Sequence, residues 1–443
     1  MPEPSPLTRI AVVGGGTVAL LATLALARAL PSTTVVLVPC AVPDEALADH
    51  AVSGGAALQR LHARIGIGDP LLFARAGATR WLATRYRGFG RKGDFFVGHG
   101  AAARDPAGGF APEPSLAALL AEQERCLLPE QEGSEGLDVL LRFDPEAYQA
   151  GLRALARQAG VQTQLPFAMV EPGLLSGNAN VVDADLIVDA TGTGWLRAQA
   201  ADSSWLDWSG GAQLRRLCRS SASPARRASL SDTVSRVAAG YRIEQPGSLR
   251  TAWTALWAEA EDDEHMQRAL ADVSGATVTG PVAFRPGRLA QPWQGRVVAL
   301  GDAAVRLAPL GGLNLHVAAA QILLLLDLLP GGAAPFVERV EYNRRAALLA
   351  DHAQDYVLCQ QGQQGSPLLA QRIDQFGRRG WLPDLVEGCV PVDHWAQLLL
   401  GLGVTPGELP RLQARNAGDV ASAARARQEQ RWTMVATAKP YGV

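Results

Sequence analysis

Cysteine, lysine and charge of a single sign are all scarce in this sequence. The five cysteines are an odd number, lie far apart and form no Cys-x-x-Cys pair, so they predict neither a disulfide framework nor a metal cluster. They fit a reducing compartment, and we expect a cytoplasmic protein. The only two lysines are Lys92 and Lys439, which leaves few candidates for chemistry that needs an amine. A formal net charge of −2 gives no reason to expect nucleic acid as a partner.

Long apolar segments are also missing. The run Leu315–Leu329 contains Asp327 and is followed by Pro330, and at about 15 residues it is short for a membrane span. The run Val18–Leu30 follows a strand and a glycine turn and contains Arg28, which favours a helix of a nucleotide-binding fold over a signal peptide. The sequence therefore predicts no association with a membrane.

The composition is that of a folded globular protein. With 443 residues, 48% of them apolar and 19% charged, the chain is long enough for two or three interleaved subdomains. The charge is locally uneven, in stretches that are either solvated surfaces or docking surfaces for a partner protein. The basic stretch contains Arg215, Arg216, Arg219, Arg226 and Arg227, and the acidic one contains Glu122, Glu124, Glu130, Glu132, Glu135 and Asp138.

A glycine motif near the N-terminus predicts a nucleotide-binding turn. The predicted strand Ile10–Val13 leads into the motif Gly14-Gly15-Gly16-Thr17-Val18-Ala19. The predicted helix Thr17–Leu30 follows, stopped by Pro31, and then a second strand, Thr34–Val38. This βαβ unit has the length that a dinucleotide fold requires.

Each position of this motif has a physical role. Gly14 makes the tight turn, Gly16 lets the backbone approach a pyrophosphate, and Ala19 lets the helix pack closely on the strand. At the helix N-terminus, Thr17 and Val18 present backbone N–H groups and the positive end of the helix dipole to the phosphates. The alternative is a Gly-rich turn that binds no ligand.

A second motif, nearly 290 residues further on, predicts the other half of one flavin site. Gly301-Asp302-Ala303-Ala304 follows the apolar run Val297–Leu300, and an aspartate at such a turn in flavoproteins bonds to the ribityl chain. Gly311, Gly312, Leu313 and Asn314 then open the helix Leu315–Leu329, where backbone N–H groups can approach the flavin ring. Together the two motifs predict FAD. The alternative here is a tight strand–helix turn with a capping aspartate.

A third signal is the strand Asp185–Val188, which leads into Asp189-Ala190-Thr191-Gly192. We expect Thr191 and Gly192 to lie beside the adenosine. The acidic residue that usually follows the second strand and binds the ribose is missing, because Val38 is followed by Pro39 and Cys40. Asp44 and Glu45, in the next loop, are the candidates to replace it.

Other segments carry weaker patterns. The residues Ala41–Gly68 look helical, and Thr79–Tyr86 and Asp94–Gly98 have strand character. The stretch Ala101–Gly136 predicts a lid or binding excursion with one helix, Ser115–Leu127.

Asp144 and Pro145 predict a helix start, with Asp as N-cap and Pro at the first helical position, and Gly160 predicts the end of that helix. From Pro335 the chain is predicted to be mainly helical.

The predicted fold class is α/β, with a Rossmann-like FAD-binding domain of the aromatic-hydroxylase type interleaved with a mixed β-sheet substrate domain. A helical C-terminal region follows. The predicted segments are an FAD-binding domain in three parts (1–80, 141–200 and 291–334), a substrate-domain segment with the lid excursion (81–140), the substrate-domain sheet (201–290) and the C-terminal helices (335–443).

The chain resembles the flavin-dependent tryptophan halogenase family, within the aromatic-hydroxylase type of flavoproteins. The resemblance runs from Arg9 to about Gln361 and includes the spacing between motifs. Its motifs are Val13-Gly14-Gly15-Gly16-Thr17, Ala76-Gly77-Ala78-Thr79, Leu141-Arg142-Phe143-Asp144, Asp189-Ala190-Thr191-Gly192, Gly301-Asp302-Ala303-Ala304 and Val340-Glu341-Tyr342-Asn343-Arg344.

The residues that the resemblance assigns to halogenation are absent. The family has a lysine, which handles hypohalous acid, shortly after its Gly-Ala-Thr segment, where this chain has Trp81. The family's Trp-x-Trp-x-Ile-Pro motif stands here as Tyr241-Arg242-Ile243-Glu244-Gln245-Pro246. The loop after Pro309 also looks about two residues shorter than the family's.

What remains of the chemistry that the resemblance implies is oxygenation, in which a flavin C4a-hydroperoxide passes its distal oxygen to an electron-rich ring. A similar subgroup of flavoproteins hydroxylates a protein tryptophan during maturation of a tryptophylquinone cofactor, as in quinohemoprotein amine dehydrogenase. The predicted function is therefore that of an FAD-dependent monooxygenase that hydroxylates an indole ring. The predicted substrate is a tryptophan residue within a protein. The alternatives are a halogenase that uses Lys92 and a non-catalytic protein on a degenerate FAD fold.

Six residues are candidates for catalysis or for the substrate pocket. Trp81 lines the pocket or belongs to the core. His99 is a base or a structural histidine, and His316, near the flavin-facing helix start, is open to the same two interpretations. Arg306 faces the flavin or substrate, or forms a surface ion pair. The remaining two, Tyr241 and Glu244, line the pocket or lie on a strand surface.

The predicted partners are an aromatic substrate, borne by a protein or peptide, and an external reductant or flavin reductase. A reductase is expected because Asp189-Ala190-Thr191-Gly192 stands where hydroxylases that bind NAD(P)H directly often carry Gly-Ala-Asp-Gly. No cluster of residues has metal-ligand spacing.

Overall fold

The computed structural model describes residues 7–90, 93–104, 109–127, 134, 136–163, 184–194, 204–208, 214–222, 228–237, 240–329, 336–363, 365–407 and 417–441. Lys92 lies outside these residues, as do Arg226 and Arg227 of the basic stretch. Glu130, Glu132 and Glu135 of the acidic stretch lie outside them too.

The described strands are short, and most lie in two larger sheets. They are β1 (Arg9–Val13), β2 (Thr34–Val38), β3 (Thr79–Trp81), β4 (Ala83–Gly90), β5 (Gly93–Gly98), β6 (Arg125–Cys126), β7 (Leu140–Arg142), β8 (Gln162–Thr163), β9 (Leu186–Asp189), β10 (Trp205–Asp207), β11 (Leu214–Ala222), β12 (Ser231–Val237), β13 (Gly240–Pro246), β14 (Thr251–Ala258), β15 (Val278–Ala283), β16 (Gly287–Leu289), β17 (Trp293–Gln294), β18 (Val297–Ala299), β19 (Val305–Arg306) and β20 (Lys439–Pro440).

The described helices alternate with strands in the first two thirds of the chain and dominate the last third. They are α1 (Thr17–Ala29), α2 (Gly55–Arg64), α3 (Asp69–Arg75), α4 (Leu116–Glu122), α5 (Pro145–Gln158), α6 (Asp263–Ser274), α7 (Leu313–Asp327), α8 (Phe336–Gln361), α9 (Pro367–Arg379), α10 (Val392–Gly401) and α11 (Ala417–Thr437). A short 3₁₀ helix spans Gly301–Ala303.

The chain divides into two compact units, each built from three stretches of sequence. The first unit comprises Met1–Ala78, Phe143–Leu217 and Thr279–Ala353, and the second comprises Thr79–Arg142, Cys218–Val278 and Gln354–Val443. The predicted assignment of segments to an FAD-binding and a substrate domain stays a prediction.

The first unit contains a six-stranded sheet in the order β17-β18-β9-β1-β2-β8. The strand β1 is parallel to β2 on one side and to β9 on the other, and only the edge strand β17 is antiparallel to its neighbour. The middle strands are continuous apolar runs with buried side chains, as expected of parallel strands covered on both faces. The helix α1 packs on β2 and contacts α5 and α7. A second sheet has the order β10-β16-β19.

The second unit contains the strands β14-β13-β12-β4-β5 as neighbours in one sheet. The pair β12 and β4 is parallel, and the other pairs in this run are antiparallel. The helix α6 packs against β14, while α4 and α10 pack against β5. Two small pairs, β3 with β7 and β6 with β20, complete this unit.

The structure confirms the predicted α/β class and most of the predicted elements. β2 has the predicted bounds, and α5 begins at Pro145 with the Asp144 carboxylate accepting a hydrogen bond from the Ala147 N–H at 2.9 Å. The chain passes Gly160 with a φ of +75°, the conformation that ends a helix.

Two predicted helices are wrong in their bounds. The stretch Ala41–Gly68 is not one helix, because residues 39–54 form a loop that is held by contacts to distant parts of the chain, and α2 begins only at Gly55. The helix predicted over Ser115–Leu127 is capped by the Ser115 hydroxyl but ends at Glu122, since the next residues turn into β6.

Membrane and metal features can be judged only in the part of the chain that the structure describes. No helix there has both the length and the apolar character needed to cross a membrane. The same residues contain no group of three or more His, Cys, Asp or Glu side chains placed to hold a metal ion.

All five cysteines are free thiols. Four of them are buried and Cys40 is half-buried. Burial raises the pKa of Cys40 to about 11 and the pKa of Cys218, Cys359 and Cys389 to about 12 each. Burial also raises the pKa of Cys126.

Candidate functional site

The turn between β1 and α1 has room only for glycine at position 14. Gly14 has a φ of +154°, and a Cβ there would overlap the Ala190 carbonyl and the Ala19 side chain. Its N–H donates to the Val38 carbonyl at 3.0 Å. The turn therefore packs closely between the ends of β2 and β9, and the small side chain of Ala19 lets α1 approach it.

The N-terminus of α1 faces a carboxylate. The Val18 N–H donates to Asp49 Oδ1 at 2.8 Å, and the Thr17 hydroxyl donates to the Asp49 carbonyl at 3.2 Å. A Cβ on Gly16 would overlap the Asp49 side chain. Burial is the largest cause that raises the pKa of Asp49 to about 7; the neighbouring Asp302 carboxylate also raises it, and the bond from Val18 lowers it. The 39–54 loop thus brings an anionic group to the end of the helix where anions bind.

Asp302 lies at the other predicted half of the flavin site, in the 3₁₀ helix after β18. Its side chain is 3% exposed, and Oδ2 accepts a hydrogen bond from the Ala48 N–H at 2.7 Å. Oδ1 has no hydrogen-bond partner among the described residues. Burial raises the pKa of Asp302 to about 6. A buried acceptor without a partner fits a hydroxyl donor, such as one of the ribityl chain.

Two glycines shape the start of α7. Gly311 and Gly312 have φ values of +63° and +66°, and Gly312 is the residue before the helix. The buried Asn314 amide donates to the Leu307 carbonyl at 2.7 Å and so fixes the loop in front of the helix. Leu313 is buried in the first turn. A left-handed backbone just before a helix is the arrangement that lets N–H groups approach a flat ring.

Arg306 connects two of the predicted cofactor turns. Its guanidinium donates to the Gly192 carbonyl at 3.2 Å, to the Thr193 carbonyl at 3.3 Å and to the Asp302 carbonyl at 3.3 Å. On the first of these turns, the Thr191 hydroxyl donates to Asp189 Oδ1 at 2.7 Å. Arg306 thus holds backbone in place, and the catalytic role predicted for it stays a prediction.

His316 lies on the buried side of α7. A Cβ on Gly55 would lie 2.7 Å from its Nδ1, so the imidazole packs directly on the first residue of α2. His316 is thus buried and packed, and the catalytic role predicted for it stays a prediction.

The residues present in the first unit fit FAD. The crowded Gly14 turn and the unpartnered Asp302 Oδ1 are what a bound dinucleotide with a ribityl chain requires. The four predicted groups in this unit (14–19, 191–192, 301–302 and 311–314) border the same sheet, at the carboxyl ends of β1, β9 and β18 and at the N-terminus of α7. Ligands of open parallel sheets bind at that edge.

The second unit brings together Trp81 and His99. Their rings meet edge to face with centroids 4.1 Å apart. Trp81 is 1% exposed, and its indole N–H donates to the Ala83 carbonyl at 2.8 Å. The backbone of His99 is fixed, because its N–H donates to the Leu82 carbonyl at 2.7 Å.

The His99 imidazole is buried without a hydrogen-bond partner on either nitrogen among the described residues. Burial lowers its pKa well below the usual range, and the neighbouring His394 and Arg142 lower it further. The ring is therefore neutral at pH 7, with one nitrogen able to accept a proton.

His394, at the start of α10, is a second histidine beside His99. The two ring centroids are 5.2 Å apart. Nε2 of His394 accepts a hydrogen bond from the Gly100 N–H at 3.4 Å, and desolvation lowers the pKa of His394 to about 4. The next residue back, Asp393, accepts from the Ala102 N–H at 2.8 Å. Two neutral imidazoles thus lie side by side.

Tyr241 and Glu244 do not lie on one face. Both are on β13, three residues apart, so their side chains point to opposite sides of the sheet. Tyr241 is buried, whereas Glu244 stands directly across from Trp253 on β14. The two side chains thus lie on opposite faces of β13, and the pocket-lining role predicted for each stays a prediction.

Sequence reasoning missed Asp49 and His394. Asp49 is 31 residues from the helix end that it contacts, and no motif marks it. Asp44 and Glu45 lie in the same loop, and their predicted contact with the ribose stays a prediction. His394 lies in the first turn of α10, shortly after Pro391, and no sequence motif marks it.

Comparison with known proteins gives one family and many similar folds. The family model for tryptophan halogenases matches residues 9–417. No curated protein matches the chain in sequence.

Among solved structures, BrvH, a flavin-dependent halogenase from Brevundimonas sp. BAL3, is 20% identical, with 98% of each chain covered and a TM-score of 0.85. Xcc4156, a flavin-dependent halogenase from Xanthomonas campestris, is 19% identical over 99% of this chain and 97% of its own, with a TM-score of 0.87. MibH, a lanthipeptide tryptophan 5-halogenase, is 19% identical over 100% and 93%, with a TM-score of 0.81. These identities establish likeness of fold.

Proposed function

Because the chain belongs to the tryptophan halogenase family, whose members are flavin-dependent oxidoreductases that use FAD, we propose that it is an FAD-dependent monooxygenase that hydroxylates an indole ring. The proposed substrate is a tryptophan residue within a protein, modified during maturation of a quinone cofactor. The family acts on aromatic substrates and works with a flavin reductase, which we propose as the electron source here.

The observation that carries this proposal is Trp81. The resemblance places the family's lysine at this position, and an indole cannot supply the amine that handles hypohalous acid. The Trp81 N–H is already bonded to the Ala83 carbonyl, and the ring is buried against His99. Lys439, on β20, is exposed and paired with the Cys126 backbone. Among the described residues, therefore, no lysine replaces the missing one.

When bound, reduced FAD supplies the oxygen chemistry, and the chain's own residues do the rest. Asp302 Oδ1 would accept a hydrogen bond from a hydroxyl of the cofactor, and the turns at Gly14 and Gly312 would let backbone approach it. His99 is neutral and has no hydrogen-bond partner among the described residues, so it would accept the proton that an aromatic ring loses when it gains an oxygen. Trp81 packs against the His99 ring.

A protein-borne substrate is supported by one relative in fold. MibH is a lanthipeptide tryptophan 5-halogenase, so a chain of this fold can act on a tryptophan that is part of a peptide. Within the described residues neither His99 nitrogen has a hydrogen-bond partner, which supports a substrate group at that position.

The test is an anaerobic reduction of the FAD-loaded protein, followed by oxygen and a tryptophan-containing peptide, with and without bromide. Mass spectrometry should find a peptide heavier by one or two oxygens in both cases. A brominated peptide, or no change in any indole substrate offered, would overturn the proposal. A known flavin reductase with NADH can replace the chemical reductant in a second series.

Halogenation through Lys92 is the second candidate. It is favoured by the family match over residues 9–417 and by the halogenases that share the fold. Under this alternative the unmodified protein incorporates bromide and Lys92→Ala does not. If the unmodified protein incorporates no halide, this candidate is eliminated.

A further inference from the structure

The 39–54 loop packs against all the turns of the first unit that we assign to the pyrophosphate, adenosine and ribityl parts of FAD. A Cβ placed on any of three turn glycines would meet this loop. The contacts are Cys40 on Gly15, Asp49 on Gly16, Ala46 on Gly192 and the Ala48 N–H on Asp302. Loop and cofactor turns thus form one packed surface, and any bound dinucleotide must share it with the loop.

Within this loop, Asp49 takes the position that a phosphate takes at a helix N-terminus. Its Oδ1 accepts the Val18 N–H at 2.8 Å, over Gly16. Its carbonyl is held from two helices, by the Thr17 hydroxyl at 3.2 Å and by the Gln149 side-chain amide at 3.1 Å. The side chain is 2% exposed. A carboxylate held in this way uses the N–H group and dipole that would otherwise serve an anionic ligand.

The charged groups around Asp49 also disfavour the binding of a second anion. Asp302 faces it from the 3₁₀ helix, and the Cys40 thiol lies near Asp49 and Asp189. The cations on the packed elements act on backbone: Arg153 donates to the Gly15 carbonyl at 3.1 Å, and Arg306 donates to the Asp302 carbonyl. Two carboxylates, Asp49 and Asp302, therefore lie close together at this turn.

We propose that Asp49 is an intramolecular competitor of the FAD pyrophosphate, which must displace its carboxylate from the N-terminus of α1 in order to bind. Asp49 therefore sets the affinity for the cofactor. This inference rests on FAD binding in the first unit and does not depend on which reaction the bound flavin performs.

The test measures binding and not turnover. Affinities of the apoprotein for FAD, for ADP and for riboflavin are compared between the unmodified chain and Asp49→Asn at pH 8, by fluorescence and calorimetry. Asp49→Asn should bind FAD and ADP roughly fivefold more tightly or better, because a charged competitor at the helix end is removed. Riboflavin, which has no pyrophosphate, should bind equally to both proteins. An equal or weaker affinity for ADP would overturn the proposal, and so would an equal gain for riboflavin.

A matched control is Asp69→Asn, which removes the same charge from an exposed residue at the start of α3 and should leave all three affinities unchanged.

The pH dependence of ADP binding provides a second measurement that needs no variant. Asp49 protonates near pH 7, so the unmodified protein should bind ADP more tightly at pH 6 than at pH 8, and the advantage of Asp49→Asn should shrink over the same interval. An ADP affinity that is the same at both pH values contradicts the proposal even if Asp49→Asn does not fold.

Discussion

Among the described residues, neither ring nitrogen of His99 has a hydrogen-bond partner, so the buried ring keeps a proton-accepting site at a cost in desolvation. Burial makes the imidazolium form the costly one, so the ring stays neutral throughout the physiological range. Its edge contact with Trp81 and its neighbour His394 fix the ring without using its nitrogens. Under the proposed function, this nitrogen accepts the proton that the substrate ring loses.

Replacing His99 by asparagine should lower kcat for ring hydroxylation by roughly 100-fold, the usual contribution of a positioned base. In the unmodified enzyme, kcat should show no inflection between pH 6 and 8, because the pKa of His99 lies well below its ordinary value of 6.5. Both are measured by single-turnover kinetics with preloaded reduced flavin.

The matched control is His265→Asn, on the exposed face of α6, which should leave kcat unchanged. The lowered pKa of His99 also predicts the direction in which the stability of the folded protein changes with pH. The unfolded chain binds a proton at this residue near pH 6.5 and the folded chain does not, so stability falls as the pH drops below that value. An unchanged kcat in His99→Asn would remove this residue from the reaction.

At the scale of elements, the ion pair between Arg142 and Asp232 joins β7 to β12. The Arg142 Nη1 lies 2.8 Å from Asp232 Oδ1, and both side chains are almost wholly buried, at 1% and 4% exposed. The same guanidinium donates to the Arg80 and Ser229 carbonyls. One side chain thus connects β3, β7 and β12 of the second unit.

Arg142→Ala should destabilise the protein by about 3–5 kcal/mol, because it leaves a buried carboxylate without its counter-ion. Urea denaturation measures this change. Arg378→Ala, which breaks an exposed pair with Asp374 on α9, should cost less than about 1 kcal/mol. Equal effects of the two substitutions would show that burial of the Arg142 pair does not matter.

Local rules predict some elements well and fail for others. The strand Thr34–Val38 and the start of α5 at Pro145 follow from β-branched runs and capping chemistry, which act over a few residues. The 39–54 loop does not follow from such rules. It is held by the bond from Ala48 to Asp302, which spans 254 residues, and its local sequence gives no sign of that partner.

For the molecule as a whole, the two glycine motifs could be predicted to belong to one site because each ends a buried strand of a parallel sheet. The pairing of Trp81 with His99 could not, since β3 and the end of β5 meet only through tertiary packing. The resemblance places Trp81 where the family has a lysine, and this could be predicted from the sequence. The sequence does not predict that the Trp81 indole is buried and donates to the Ala83 carbonyl.

FAD should protect the first unit from hydrogen exchange. Adding it to the apoprotein should slow exchange in peptides covering residues 14–19 and 301–314, because the proposed ligand contacts lie there. At 100-fold excess over Kd, ligand binding contributes about 2.7 kcal/mol of stability. Protection confined to peptides of the second unit would contradict the assignment of the cofactor residues. Riboflavin is the control, and should leave residues 14–19 unprotected.

The four buried thiols and the half-buried Cys40 affect how the protein withstands oxidation. An enzyme whose reduced flavin meets oxygen operates beside hydrogen peroxide, which attacks the thiolate form of cysteine. Burial holds the pKa of all five cysteines above the ordinary thiol value, to about 11 for Cys40 and about 12 for Cys218. The native protein should therefore react slowly with Ellman's reagent and with peroxide and should expose five reactive thiols only on unfolding. In this way the fold makes the protein tolerant of its own oxidant.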